Sequence, residues 1–415
     1  MPGNSKDTIR FAAGALPLAI SLIAGGVSAA PSTMYAKTQA KTYAKTYTGT
    51  VIYSFDNAHG QTPYGGATLA ADGNIYGTTY AGGANNLGTI YKVTPGGTLT
   101  TLYSFSGPVD GAGPQSTPIV RGNTLWGTAS NGGANGVGTV FSFNLKTGKF
   151  KVLATFDRTN GGFPIGGLAR DAAGNLYGTT QKWGANFAGE IYKLSKDGTV
   201  TILYSFQPNT DGEQPSTDLA IDKAGNLYGA TQQGNGSTGG AVFKYSVSGT
   251  FSVLHLFSGD QGNPNTPAGP LALDSSGDVY GAFNFGGTDC DGSGNGCGGL
   301  YEIAANGTYT TLQQFNGTNG AYPLGGVTLQ GQTLYGATAG TSYTTNSGGG
   351  ASVFSLAVKK NKLTVDFTFP TAAGAPKQPN HGAVMHDKLG NIYGVSIYGG
   401  ANNEGAIFQV GPAAQ

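Results

Sequence analysis

The chain has 415 residues, of which 73 are glycine, 11% are aromatic and only 10% are charged. Collagen is excluded because the glycines do not fall at every third position, and a disordered low-charge polymer is excluded by the aromatic content. Lysine and arginine number 22 against 21 acidic residues, a formal charge of +1, which leaves no basic field for nucleic acid.

Residues 1–29 read as an export signal. Lys6 and Arg10 precede an apolar run from Phe11 to Gly26, and Val27-Ser28-Ala29 supplies small residues for cleavage. The run is about 16 residues long and broken by Pro17, short of the ~20 that a spanning helix needs. No membrane span is expected in the mature chain, which is placed in the periplasm or secreted. Residues 30–47 repeat an Ala-Lys-Thr step at Lys37, Lys41 and Lys45. They offer no apolar face to offset the entropy of ordering, so a flexible linker is expected.

From residue 48 the chain repeats itself. A strand-like run appears as GNIYG (73–77), GNTLWG (122–127), GNLYG (174–178 and 225–229), GDVYG (277–281), QTLYG (332–336) and GNIYG (390–394). Each copy is followed by a second run (TIYKV, TVFSF, EIYKL, AVFKY, GLYEI, SVFSL, AIFQV). A third run ends at Phe55, Phe105, Phe156, Phe206, Phe257, Phe315 and Phe369. Each series counts seven.

One unit, residues 164–206, resolves into four strands. They are PIGGLAR, LYGTT, EIYKL and TVTILYSF, rich in β-branched and aromatic residues and separated by Gly/Asn/Asp turns. Four strands in about 50 residues, repeated seven times, predict an all-β fold: a seven-bladed β-propeller over residues 48–415. The small-sided first strand, GGATL or GGLAR, suits an innermost strand that approaches a central channel. The last unit stops after its third strand, while an unpaired fourth strand, TGTVIYSF, opens the body at 48–55. Pairing the two closes the ring and hides both edges.

The recurring LYSF…DG..P…GLA.D..GNLYGTT..GGANN.GTIYKV pattern resembles the GloVer tandem repeat of bacterial envelope proteins, the "choice-of-anchor" repeat proteins. The resemblance spans residues 48–415. It implies secretion and repeat architecture, and no activity.

Strand direction puts the connections between fourth and first strands, and between second and third, on one face; the tight turns lie on the other. The first face carries the longer loops, where binding groups are expected. Its candidates for contact with a ligand are Trp183, Tyr80, Asn186, Tyr398 and Asn402, whose rings and amides suit a carbohydrate. Trp183 stands out because other units place small or polar residues there. Gly-Gly-Ala-Asn is equally good turn chemistry, and the same holds for Asp110-Gly111 and Asp211-Gly212, whose slot is filled by Asn160-Gly161 and Asn319-Gly320 elsewhere.

A catalytic alternative rests on His59 and His381, which belong to neighbouring units once the ring closes, with Arg158 or Lys377 as a charge stabiliser. Cys290 and Cys297 share the insertion TDCDGSGNGCGG and are expected to form a disulfide in an exported chain. Asp289, Asp291, Ser293 and Asn295 alternate like the start of a calcium loop, but Leu300 stands where its bidentate Glu belongs. No metal or cofactor is assigned, and a monomer is expected. Three readings stay open: a binding or interaction scaffold for a glycan or envelope protein, a polysaccharide lyase or glycan hydrolase working at the channel mouth, and a structural repeat protein.

Overall fold

The computed structural model describes residues 47–413 except 209, 235–238, 260–262, 291, 293, 341–350 and 380. The expected signal segment and the linker as far as residue 46 lie outside the described residues, and Tyr47 already belongs to the first strand. No helix among the described residues is long and apolar enough to cross a membrane.

Seven antiparallel sheets of four principal strands form the blades of a β-propeller. Blade three illustrates the unit, with strands Ala169–Arg170, Leu176–Thr180, Glu190–Leu194 and Val200–Ser205 in sequential order. Blade seven takes its fourth strand from the start of the fold. Tyr47–Ser54 pairs with Ala406–Pro412, from Tyr47 opposite Pro412 to Ser54 opposite Ala406, with a register shift between Val51 and Tyr53.

The recurring GN-x-Y-G run has a local explanation. In blades one, three, four and seven an aspartate caps the turn between first and second strands. Asp171 accepts from the Asn175 N–H at 2.8 Å, from its side-chain amide at 2.7 Å and from the Tyr177 hydroxyl at 3.1 Å. The glycine after the aromatic is set by packing. A Cβ at Gly77, Gly178 or Gly281 would collide with the third-strand ring of Tyr91, Tyr192 or Tyr301.

Those third-strand rings join neighbouring blades. The phenylalanine after each fourth strand meets the third-strand aromatic of the next blade at 5.0–5.6 Å between centroids: Phe55 with Tyr91, Phe105 with Phe141, Phe156 with Tyr192, Phe206 with Phe243, Phe257 with Tyr301, Phe315 with Phe354 and Phe369 with Phe408. All fourteen rings are essentially buried. Edge-to-face pairs of this kind stabilise by about 0.5–1.5 kcal/mol beyond the area they bury.

A second device repeats at the inner rim. Thr62, Gly113, Phe163, Gln214, Thr266, Tyr322 and Gln378 each precede a proline and each adopt a left-handed φ between 48° and 59°. Thr62, Gly113, Phe163, Gln214, Thr266 and Tyr322 donate their N–H to the preceding blade, for example Gly113 to Leu87 O at 2.9 Å and Phe163 to Val137 O at 2.8 Å. Thr62 reaches Glu404 O at 2.9 Å and so hooks blade one to blade seven. Left-handed backbone costs a non-glycine residue about 1–3 kcal/mol; the hook and the proline it positions against the neighbour offset that cost.

The first strands are shorter than their sequence implies. In blade three only Ala169 and Arg170 enter the ladder, while Ile165–Leu168 runs along the axis. There the glycines serve close approach: a Cβ at Gly167 would collide with Asp218 of blade four.

Candidate functional site

The face carrying the connections between second and third strands and between blades opens onto a cavity of about 240 Å³ on the propeller axis. Tyr64, Gln115, Ile165, Ser216, Ala268 and His381 reach it from the segments that follow the rim prolines. Gln181, Gln232 and Asn284 reach it from the ends of second strands. The floor is closed where blades crowd together. Thr117 Oγ1 accepts from Gly66 N at 3.1 Å, and Asp218 Oδ1 accepts from Gly167 N at 2.6 Å. Burial pushes the Asp218 carboxyl above the usual carboxylate range, opposed by hydrogen bonds from Thr117 and Gly167. His381 presents its ring to the open cavity beside Tyr64, with centroids 6.2 Å apart, and loss of water among the walls lowers its pKa. Two oxygens of the lining, Asn284 Oδ1 and Ser216 Oγ, are buried without a hydrogen-bond partner.

Blade three carries a different feature on the same face. Its loop between second and third strands reads Lys182-Trp183-Gly184-Ala185-Asn186-Phe187-Ala188. Trp183 has φ 69° where blades one, two and seven place Gly82, Gly132 and Gly399. Phe187 has φ 62° where they place Asn86, Gly136 and Asn403. The two rings meet edge to face at 6.2 Å, and the Arg158 guanidinium lies 5.8 Å from the indole centroid. Trp183 is partly buried, its Nε1–H unpartnered, whereas Phe187 is 73% exposed. Beneath the loop, Glu190 fills the slot held by Thr89 and Thr139 in blades one and two. Its Oε1 accepts from Ala185 N at 3.1 Å and Ser205 Oγ at 2.9 Å, and burial raises its pKa.

The asparagines of this face brace loops. Asn85, Asn135 and Asn402 donate their amides to the carbonyls of Phe105, Phe156 and Phe55 at 2.9–3.0 Å, and Asn186 to Ser205 O at 3.4 Å. Tyr80 packs edge-on against Tyr64 at 5.4 Å, on the cavity side. Tyr398 ends the second strand of blade seven, opposite Lys377.

His59 occupies the turn slot of Asp110, Asn160, Asp211 and Asn319, each followed by a left-handed glycine. Its Nδ1 lies 2.7 Å from Asp56 Oδ1, and its carbonyl accepts from Thr89 as that of Asp110 does from Thr139. Asp110 is consumed by its turn, accepting from Ser106, Gly107 and Tyr103; Asp211 accepts from Gln207 and Tyr204. His59, His381 and Arg158 therefore stand in three settings: a turn, the axial cavity and the blade-three loop. Cys290 and Cys297 are joined in a disulfide. Asp291 and Ser293 lie outside the described residues, and no cluster of metal-binding side chains occurs among the described ones.

Sequence reasoning missed Phe187, Asp218 and most of the cavity wall. Phe187 was detectable as an aromatic where the aligned loops place Asn86, Gly136 and Asn403. Asp218 was detectable as the one acid at the third position after a rim proline.

Of solved structures, the chain is similar to the extracellular domain of a hybrid two component system from B. thetaiotaomicron, at 13% identity and TM-score 0.54, over 89% of this chain and 41% of that one. It spans about two fifths of that relative's length. It is similar also to an oligogalacturonate lyase from Vibrio parahaemolyticus, at 10% identity and TM-score 0.55, over 88% and 93% of the two chains. Both likenesses are of fold. No curated protein matches the chain. The model of the Gloeobacter/Verrucomicrobia repeat matches residues 21–223, 103–294 and 170–342, which together span more than three quarters of the sequence. On that match, the chain belongs to the Gloeobacter/Verrucomicrobia repeat family.

Proposed function

We propose that the protein is an exported binding propeller that captures a glycan chain on its long-loop face, with Trp183 and Phe187 as the stacking platform. The observation that carries this is the pair of aromatic residues in left-handed backbone slots that sister blades give to glycine or asparagine. A bulky residue with positive φ is an outlier that costs free energy, and such strain concentrates at functional sites. The fold does not need these rings, because blades one, two and seven build the same loop without them. Phe187 also leaves its apolar ring in water. A sugar ring laid on it would cover that surface, and the Arg158 N–H groups beside the indole suit hydroxyl or carboxylate oxygens.

The lyase or hydrolase alternative has less support, since its three candidate residues do not share a setting. A purely structural role leaves the aromatic pair without a reason.

The test restores the sister-blade sequence with Trp183→Gly and Phe187→Asn. The double variant should melt at the same temperature or higher and lose binding to whichever glycan the parent protein captures on an array. A lower melting temperature with unaltered glycan binding would assign both rings to packing and overturn the proposal.

A further inference from the structure

We propose that the axial cavity is a second, separate binding site, and that it takes one uncharged polyhydroxylated molecule: a single sugar ring or a sugar alcohol. This inference does not rest on the blade-three platform; it draws on different side chains, contributed by several blades.

Size sets the first limit. At about 240 Å³ the cavity lies below the roughly 300–1,000 Å³ of sites for drug-sized ligands, which fits one ring and not an oligomer. The contact between Thr117 and Gly66, with the Asp218–Gly167 bond beside it, closes the floor, so a ligand enters and leaves by the long-loop face.

Chemistry sets the second. Gln115, Gln181, Gln232 and Asn284 bring amides from four consecutive blades. An amide both donates and accepts, as a hydroxyl does, so a ring of amides matches a ring of hydroxyls. Tyr64 and Ile165 add apolar surface for the C–H face of a sugar. Among the described residues neither lysine nor arginine lines the cavity, and Asp218 adds a carboxyl, so an anion would find no cationic partner there.

Unmet hydrogen-bonding capacity is the third argument. Asn284 is only 6% exposed, and its Oδ1 has no partner; Ser216 Oγ is likewise buried and unpaired. Buried polar atoms are nearly always paired in native proteins, and each exception calls for an explanation. Both residues line the same polar cavity, and a ligand hydroxyl toward which either side chain turns its oxygen would supply the missing donor.

The experiment is ligand-observed NMR and calorimetry on the mature chain with three probe groups: neutral hexoses and hexitols, a uronic acid, and an amino sugar. The expected result is binding of a neutral member, weakened about tenfold by Asn284→Ala, as the loss of one good hydrogen bond implies. Ser216→Ala should weaken it too, and the Trp183→Gly/Phe187→Asn double variant should leave it unchanged. Should Asn284→Ala fail to fold, Gln181→Ala and Gln232→Ala carry the same test from the cavity rim. Tightest binding by the uronic acid or the amino sugar would overturn the neutral class. Absence of binding by all three groups, or affinity indifferent to the cavity variants, would overturn the site. If glycan capture by the platform fails while a hexitol still binds in the cavity, the two proposals separate.

Discussion

The side-chain amide of Asn402 donates to the carbonyl of Phe55 at 2.9 Å, joining residues 347 positions apart. Asn85 and Asn135 make the same bond to Phe105 and Phe156 within their own blades. A brace that is local everywhere else thus becomes the long-range latch of the ring in blade seven, alongside the Thr62–Glu404 hook and the Tyr47–Ser54 ladder.

Removal of residues 47–55 should therefore damage two blades. Ala406–Pro412 loses its ladder partner, and Tyr91 of blade one loses the Phe55 ring. Hydrogen exchange should speed up at 406–412 and at 89–93 together. Acceleration confined to blade seven would show that the Phe55–Tyr91 pair contributes little. Asn402→Ala alone should cost about 0.5–1.5 kcal/mol, the net worth of one hydrogen bond, in a chemical-denaturation curve.

Tyr91, Tyr192 and Tyr301 hold buried hydroxyls with no partner, and burial raises their pKa values. The equivalent rings in the other blades are Phe141, Phe243, Phe354 and Phe408, so the site accepts phenylalanine. Each Tyr→Phe change should be neutral or stabilising by up to about 1–3 kcal/mol, the penalty of an unsatisfied buried group. A consistent loss of stability across all three would mean that the hydroxyls find partners in solution.

Acid should weaken the fold first through His386. Its ring packs edge-on against Tyr335 at 4.4 Å with Nε2 buried and unpartnered. Burial holds its pKa down to about 4, with the neighbouring Asp387 pulling the other way. The folded pKa lies below the unfolded value of about 6.5. The stability it contributes is therefore complete above pH 6.5 and lost as pH falls toward 4. Since the ring is partly solvated, about 1–2 kcal/mol is expected after screening. His255 is shifted in the same direction by burial, and His381 by loss of water within the cavity walls. The capped carboxylates, such as Asp171 and Asp222, have lowered pKa values and act at still lower pH. His386→Leu, matching Leu69 and Leu273 in the same register, should flatten the melting temperature between pH 6.5 and 4.5. An unchanged slope would place the acid sensitivity elsewhere.

The disulfide should matter beyond its own loop. Cys297 is fully buried, and its carbonyl accepts from Tyr322 N at 2.8 Å, which makes it the hook between blades five and six. Closing a loop of eight residues stabilises by about 2.5 kcal/mol on the chain-entropy model. Cys290→Ser/Cys297→Ser should lose stability of that order and raise exchange at Tyr322. Loosening limited to 288–296 would show the hook to be independent of the bridge.

Much of the architecture was legible because the repeat is written in strand-sized words. The Phe55 series gave the blade count and the closure, and the small-sided first strands gave the close approach at the axis, where the expected channel is a cavity with a closed floor. What stayed hidden depends on neighbours from other blades. The glycine after each second-strand aromatic looks like a turn residue until the ring of Tyr91 is seen to lie over it. His59 looks like a catalytic candidate until it is aligned with Asp110, because a single histidine among Asp and Asn breaks the slot's pattern. Asp218 meets Thr117 and Gly167 from two other blades, a juxtaposition that no local spacing encodes. Trp183 was visible as a departure from the repeat, whereas the left-handed backbone that makes it and Phe187 a costly pair belongs to three-dimensional geometry alone.

The seven phenylalanines that reach across to the next blade's aromatic ring carry a consequence for how the molecule comes apart. No blade owns a finished interior; each borrows one wall from the blade before it and lends one to the blade after. Loss of a single blade strips two seams at once, and the ring offers no terminal repeat from which unravelling proceeds step by step, as it does in open solenoids. The propeller should therefore melt in one cooperative transition despite its modular sequence, with the Tyr47–Ser54 strand as the clasp at which the circle can be unbuckled.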